Sequence, residues 1–343
     1  MKILITGGAG YIGSHTLVEV LKAGHEALVV DSLVNGHAAA IARVGQLTNA
    51  QVPLEVGDIR DKAFLECVFA DFAPDAVIHF AGLKSVGESV ANPLSYYDVN
   101  VSGSQVLLEV MQAHGCNRIV FSSSATVYGE PHYLPYDEAH PVAPVNPYGR
   151  TKLMVEQILG DWCAANPERS ALSLRYFNPV GAHASGMIGE DPNGTPNNLM
   201  PFIAQVAIGR WPALQIFGDD YETRDGTGER DYVHVVDLAK AHVLALDALE
   251  TQSGHDVINI GTGRGVTVKE MVDAFESACG RPVKTNTVSR RAGDLASYFA
   301  NGDRARTRLG WEADLGLAEM CRDTWAWQSK NPEGFEDDRV RYP

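Results

Sequence analysis

Short apolar runs alternate with amphipathic stretches through the first half of the chain. Lys2-Ile-Leu-Ile-Thr6 is too short for a helix and reads as a buried parallel strand. Gly7-Gly-Ala-Gly-Tyr-Ile-Gly13 follows, and Leu17, Val18, Val20 and Leu21 then mark the apolar face of a helix. Ala27-Leu-Val-Val30, ending in Asp31, gives a second strand, and Leu54-Glu-Val56 a third that leads into Gly57-Asp58-Ile59 and a helix around 62–69. Ala76-Val-Ile-His-Phe80 opens into Ala81-Gly-Leu-Lys84, a long helix is expected from Pro93 to His114, and Arg118-Ile-Val-Phe-Ser-Ser-Ser124 is a strand ending in three hydroxyls. A helix opens at Pro147-Tyr148. This alternation, continuing to about residue 175, predicts an α/β fold with a doubly wound parallel sheet.

After Arg175 the regularity weakens, and Gly and Pro accumulate from Pro179 to Pro201. We expect a nucleotide-binding domain over 1–178, to which later segments at about 231–260 return, and a smaller C-terminal α/β lobe over 179–343. Trp325 and Trp327 fall near the end of a terminal helix, followed by a solvated acidic tail at Glu336-Asp-Asp338.

The glycines at 7, 10 and 13 give the turn its chemistry. They allow a tight bend, close backbone approach to a pyrophosphate and close packing of helix on strand, while the helix N-terminus supplies N–H donors. Asp31, 18 residues after Gly13, is placed to accept from adenosine ribose hydroxyls and to repel a 2′-phosphate, which favours NAD over NADP. Asp58 is either an adenine-edge contact or the N-cap of the next helix.

Tyr148 and Lys152 are four residues apart and share a helix face, so the ammonium is expected to favour phenolate and pull the tyrosine pKa below about 10. Such a tyrosine serves as a general base. Ser122 to Ser124 end one strand and Tyr148 to Lys152 open the next helix, so the fold can bring their side chains together.

The net charge of -15 argues against a nucleic-acid partner, and an anionic ligand must be captured by local arginines and N–H groups. No apolar run approaches the roughly 18 residues that span a bilayer, and the N-terminus carries no secretory pattern; a soluble, cytoplasmic protein is expected. Five scattered cysteines (67, 116, 163, 279, 321) read as reduced, buried thiols, neither a disulfide framework nor a zinc site. Eleven histidines show no metal-ligand spacing, so no metal is expected. The Asn-x-Ser/Thr matches at Asn100 and Asn193 read as coincidence.

Seven segments carry a resemblance: Thr6–Gly13, Phe80–Ser89, Ser122–Gly129, Tyr148 with Lys152, Arg175–Ala182, Pro196–Pro201 and Arg230–His234. Over nearly its whole length the chain resembles the extended short-chain dehydrogenase/reductase family, and within it the enzymes that invert C4 of a sugar nucleotide. The resemblance implies a Rossmann fold, NAD as a retained cofactor, and interconversion of UDP-glucose and UDP-galactose through a 4-keto sugar, a step of galactose metabolism. Tyr148 would be the base, Lys152 would hold it ionised and bond the nicotinamide ribose, and Ser124 would bond the reacting oxygen. Cofactor contacts would fall on Gly7, Gly10, Tyr11, Ile12, Gly13, Asp31 and Asn35, then on Asp58, Ile59, Phe80, Ala81 and Lys84, and finally on Asn100, Ser122 and Phe177. Position 99 is valine where some relatives have asparagine, so weight shifts to Asn100.

For the substrate, the resemblance implies Arg230 and Arg291 at the diphosphate, where a guanidinium fork suits phosphate oxygens, Asp294 at the ribose, and Leu214 to Phe217 around uracil. Asn178, Tyr232, Lys84 and the Asn198-Leu199 helix start would add further contacts. Tyr298 matches a position beside the sugar C2 substituent, where its bulk would disfavour N-acetylated sugars. Related dehydratases carry Asp-Glu where this chain has Ala125 and Thr126, so elimination is not expected. A homodimer through the Tyr148 helix is implied, with Met154, Val155, Ile158, Leu159 and Trp162 as an apolar face that core packing could equally use. The rival readings are an epimerase for another sugar nucleotide, a net reductase, and a non-catalytic dinucleotide sensor.

Overall fold

The computed structural model describes residues 1–192, 194–291 and 294–335; Asn193 and the acidic 336–338 stretch lie outside them. The first half runs β1 (Lys2–Thr6), α1 (Tyr11–Lys22), β2 (Glu26–Asp31), α2 (Ala38–Thr48), β3 (Leu54–Val56), α3 (Lys62–Phe72) and β4 (Ala76–His79). Then come α4 (Val86–Ala91), α5 (Pro93–Tyr96), a π-helical turn (Tyr97–Ser102), α6 (Gly103–Ala113), β5 (Arg118–Ser124), α7 (Pro147–Ala164) and β6 (Ser170–Tyr176). The remainder is β7 (Asn178–Val180), α8 (Leu199–Ala207), β8 (Leu214–Phe217), β9 (Glu229–His234), α9 (Val235–Leu249), β10 (Gly254–Ile260) and β11 (Gly265–Thr267). It closes with α10 (Val268–Cys279), β12 (Thr285–Val288), β13 (Ser297–Tyr298), α11 (Asp303–Leu309) and α12 (Leu317–Lys330).

Seven parallel strands make one sheet in the order β10-β6-β5-β4-β1-β2-β3. Side chains alternate across it: Ile3 and Ile5 enter the core beneath α1, α2 and α9, while Leu4 enters the core beneath α3, α6 and α7. Strand order reverses at β1, whose Thr6 pairs with Val30 on one side and His79 on the other. That switch point opens a crevice at the carboxyl ends of β1 and β4, where ligands bind in such sheets.

The rest of the chain adds a four-stranded sheet (β7, β9, β11, β13) and the parallel pair β8–β12, packed with α8, α10 and α12 around a separate core. α12 joins the two cores, placing Met320 and Cys321 in one and Trp327 in the other. Among the described residues no helix is long and apolar enough to cross a membrane.

One local expectation changes. The helix expected from Pro93 to His114 contains the π-helical turn, which buries Asn100 and turns its amide to the backbone of Leu83 and the hydroxyl of Thr151. On α7, Val155, Leu159 and Trp162 are core residues, and Met154 is exposed.

Candidate active site

The crevice is built from the close approach of the ends of β1 and β4. Gly7 has φ +72°, and a Cβ there would lie 2.6 Å from the Ala81 nitrogen, so only glycine lets the two strand ends meet. A Cβ at Gly13 would lie 2.4 Å from the Gly7 carbonyl oxygen, whereas one at Gly10 would meet only that oxygen, 3.3 Å away. The N–H groups of Tyr11, Ile12 and Gly13 open α1 with no carbonyl of their own helix to bind. Tyr11 donates its hydroxyl to the Gly181 carbonyl (2.7 Å), tying this helix to the segment after β7.

Asp31 ends β2 and accepts from the Ala9 and Leu33 N–H groups (2.9 and 2.8 Å). Burial pushes its pKa up against the pull of those donors. Asn35 is exposed four residues on. Asp58 does not cap α3; Asp61 does, accepting from the Phe64 N–H. Asp58 instead pairs with Arg60 (2.6 Å), which holds its carboxyl below the usual range, and Arg60 also reaches Asp98 (2.5 Å). Ile59 is buried against Gly103, where a Cβ would lie 2.7 Å from its Cδ1. Phe80 and Ala81 continue from β4, both donating N–H to the Thr6 carbonyl (2.9 and 3.1 Å). Lys84 pairs with Glu190 (3.4 Å), which also accepts from the Asn198 amide (2.9 Å).

The end of β5 and the first turns of α7 face each other across this crevice. Asn146 caps α7 by accepting from the Gly149 N–H (2.8 Å), and Pro147 starts the helix. Lys152 is buried, its ammonium donating to the Ser122 carbonyl (2.7 Å) above the ring of Phe121. Burial lowers its pKa to about 8, with Glu156 opposing.

Here the expectation from spacing is corrected. The ammonium lies 5.8 Å from the Tyr148 ring centroid and bonds a backbone carbonyl rather than the phenol. Burial raises the Tyr148 pKa to about 12, and a hydrogen bond with Ser124 pulls it back. In the chain by itself desolvation outweighs that bond. Ser124 also accepts from the Thr126 N–H and hydroxyl (3.2 and 3.0 Å).

Beneath these groups lies a polar layer that the sequence reading missed. Glu156 takes Arg175 through two bonds (2.9 and 2.6 Å) and the Ser123 hydroxyl (2.5 Å), all buried. Arg175 also donates to the Tyr128 hydroxyl (3.1 Å), and the Tyr176 hydroxyl bonds that of Ser122. The signal was present: Glu156 sits one turn beyond Lys152, and Arg175 is the lone charged residue in a central strand, which requires a carboxylate.

The second sheet supplies the opposite wall. Tyr298 on β13 pairs in register with Arg230 on β9, and its ring packs against Phe177 (5.0 Å) and Tyr136 (5.1 Å). Its buried hydroxyl has no hydrogen-bond partner among the described residues. The Arg230 guanidinium donates to the Glu229 and Leu295 carbonyls (2.8 and 2.9 Å). Asn178 begins β7 opposite Tyr232, which is buried in the second core. Arg291 lies over the Phe217 ring (4.5 Å) and bonds Asp294 (3.0 Å). Leu214, expected in a binding pocket, is packed in the second core; Phe217 at the other end of the same strand is exposed, because β8 alternates inward and outward. Leu199 is the first residue of α8. No group of three or more His, Cys, Asp or Glu that could hold a metal occurs among the described residues.

The profile of the NAD dependent epimerase/dehydratase family matches residues 3–261. The chain is 54% identical over 336 residues to the UDP-glucose 4-epimerase of Bacillus subtilis, covering 98% of this chain and 99% of the relative. It is also 54% identical over 341 residues to that of Homo sapiens, covering 97% and 98%. The crystal structure of UDP-glucose 4-epimerase from Bifidobacterium longum in complex with NAD+ and UDP superposes with a TM-score of 0.94 at 49% identity, covering 97% of this chain and all of that one.

Proposed function

Because the chain belongs to the NAD dependent epimerase/dehydratase family, we propose that it interconverts UDP-glucose and UDP-galactose by inverting C4, in galactose metabolism, with NAD as its cofactor. The residues of the crevice fit that cofactor. The glycine turn and the first N–H groups of α1 suit its pyrophosphate. Asp31 retains carboxylate lone pairs for ribose hydroxyls beyond the two N–H groups it serves. The Lys152 ammonium donates to the Ser122 carbonyl and keeps protons for the second ribose. Bound there, NAD supplies a hydride acceptor and donor at the sugar C4 and a positive charge that favours phenolate.

The observation that carries the reading is the meeting of Tyr148, Ser124 and Lys152 at the rim of the crevice. Tyr148 removes the C4 hydroxyl proton as the C4 hydrogen departs with its electrons, leaving a 4-keto sugar. When hydrogen is delivered to the other face, Tyr148 returns the proton and C4 is inverted. Ser124 bonds the oxygen that changes hands. A carboxylate able to remove a C5 proton is missing from the turn after β5, where Ala125 is buried and Thr126 donates to Ser124.

Arg230 and Arg291 hold the diphosphate, with Asn178, Asn198, Leu199 and Lys84 beside it; Asp294 takes the ribose and Phe217 the uracil. Tyr298 stands close enough to Tyr148 for the two phenols to interact electrostatically, and it crowds the sugar C2. We place the enzyme in the cytosol, where its five free cysteines stay reduced. The exposed strip of Val86, Val90, Leu94 and Met154 on α4, α5 and α7 is where we place a second copy.

The test is incubation of the purified protein with UDP-galactose, followed by chromatography. UDP-glucose should appear without reduced nicotinamide accumulating in solution. Accumulation of reduced cofactor, or no UDP-glucose, contradicts the reading.

A further inference from the structure

Between Arg230 and Tyr232, on the other side of β9, lies a fully buried carboxylate that the reaction does not use. Asp231 pairs with no cation among the described residues. One oxygen accepts from the Thr262 N–H (2.9 Å) and hydroxyl (2.6 Å), and the other from the Gly263 N–H (3.0 Å) and the Ala300 N–H (3.1 Å). All its partners are neutral donors. They come from two segments remote in sequence: the turn that follows β10 and the segment that follows Tyr298. Asp231 therefore clamps the segments that follow β10 and β13 to β9.

The clamp controls what faces the sugar. Ala300 is two residues beyond Tyr298, and Tyr298 pairs with Arg230, the neighbour of Asp231. The Phe177 N–H donates to the Ile260 carbonyl (3.3 Å), immediately before the clamped turn, and Phe177 packs on Tyr298. The fit leaves no slack: a Cβ at Gly261 would lie 2.7 Å from an Asp231 carboxylate oxygen and 2.8 Å from the Ala300 Cβ.

We propose that Asp231 is a positioning residue that sets sugar selectivity, its buried carboxylate fixing Tyr298 and Arg230 at the depth that admits a hydroxyl at C2 and excludes an acetamido group. This rests on the functional reading above. An amide cannot substitute for the carboxylate. Turned toward Gly263 and Ala300 its NH2 faces two backbone N–H donors, and turned toward Thr262 it faces that residue's N–H, so in either orientation at least one backbone donor loses its acceptor and a clamped segment must move away.

Asp231→Asn and Thr262→Val holoproteins, checked for NAD content and melting temperature, are compared with wild type in kcat and KM for UDP-galactose and UDP-N-acetylgalactosamine. Asp231→Asn should raise the acetamido-to-hydroxyl ratio of kcat/KM by about tenfold or more, with KM for UDP-galactose changing more than kcat. Thr262→Val, losing one donor, should move the ratio the same way by about threefold. Parallel losses on both sugars, leaving the ratio at its wild-type value, overturn the proposal and leave Asp231 a purely structural residue. If Asp231→Asn does not fold, the Thr262→Val ratio decides by the same criterion. A wild-type protein inactive on UDP-galactose instead removes the functional reading itself.

Discussion

Lys152 lies 2.7 Å from the carbonyl oxygen of Ser122, and that bond fixes α7 to β5. The lysine is thus held by the strand that carries Ser124. Replacing it by methionine removes both a charge and a positioning contact. Lys152→Met should lower turnover of UDP-galactose by about 100-fold or more, measured by single-turnover conversion with bound NAD confirmed.

The same residue predicts a pH dependence of stability. Burial lowers the Lys152 pKa from 10.5 to about 8. Between those values the unfolded chain keeps a proton that the folded chain has released, so this residue makes stability rise with pH across that window. The penalty is full below the lower value and absent above the upper one, and amounts to at most about 3 kcal/mol. Urea unfolding at the two ends of the window should show a gain in wild type that Lys152→Met loses; equal gains in both contradict it.

Glu156→Ala should be severely destabilising, because it strands the buried Arg175 guanidinium. A loss of about 3–5 kcal/mol is expected, read from denaturant midpoints. A change below about 1 kcal/mol would show that the pair is already wet.

Gly7→Ala puts a methyl group 2.6 Å from the Ala81 nitrogen at φ +72°. A cost of at least about 2 kcal/mol is expected, together with loss of co-purifying NAD, measured by thermal melting and by cofactor released on acid precipitation.

Much of this was legible in the chain. β5 has the bounds its pattern predicts, and the glycine turn is legible because its spacing answers a local backbone requirement. Asp31 closes β2, as the apolar run before it predicts. The rest depends on distant partners. The π-helical turn at Asn100 follows from Leu83 and Thr151, not from its own propensity. Position along a strand does not reveal that Leu214 faces inward and Phe217 outward until the second core is assembled. The partner of Lys152 is a backbone carbonyl, which carries no sequence signature, so spacing alone pointed to the phenol.

The most direct test is Tyr148→Phe, assayed for conversion of UDP-galactose to UDP-glucose with bound NAD and melting temperature shown equal to wild type. The account predicts a loss of about 1,000-fold or more, since the proton then has no acceptor. Conversion at the wild-type rate contradicts it.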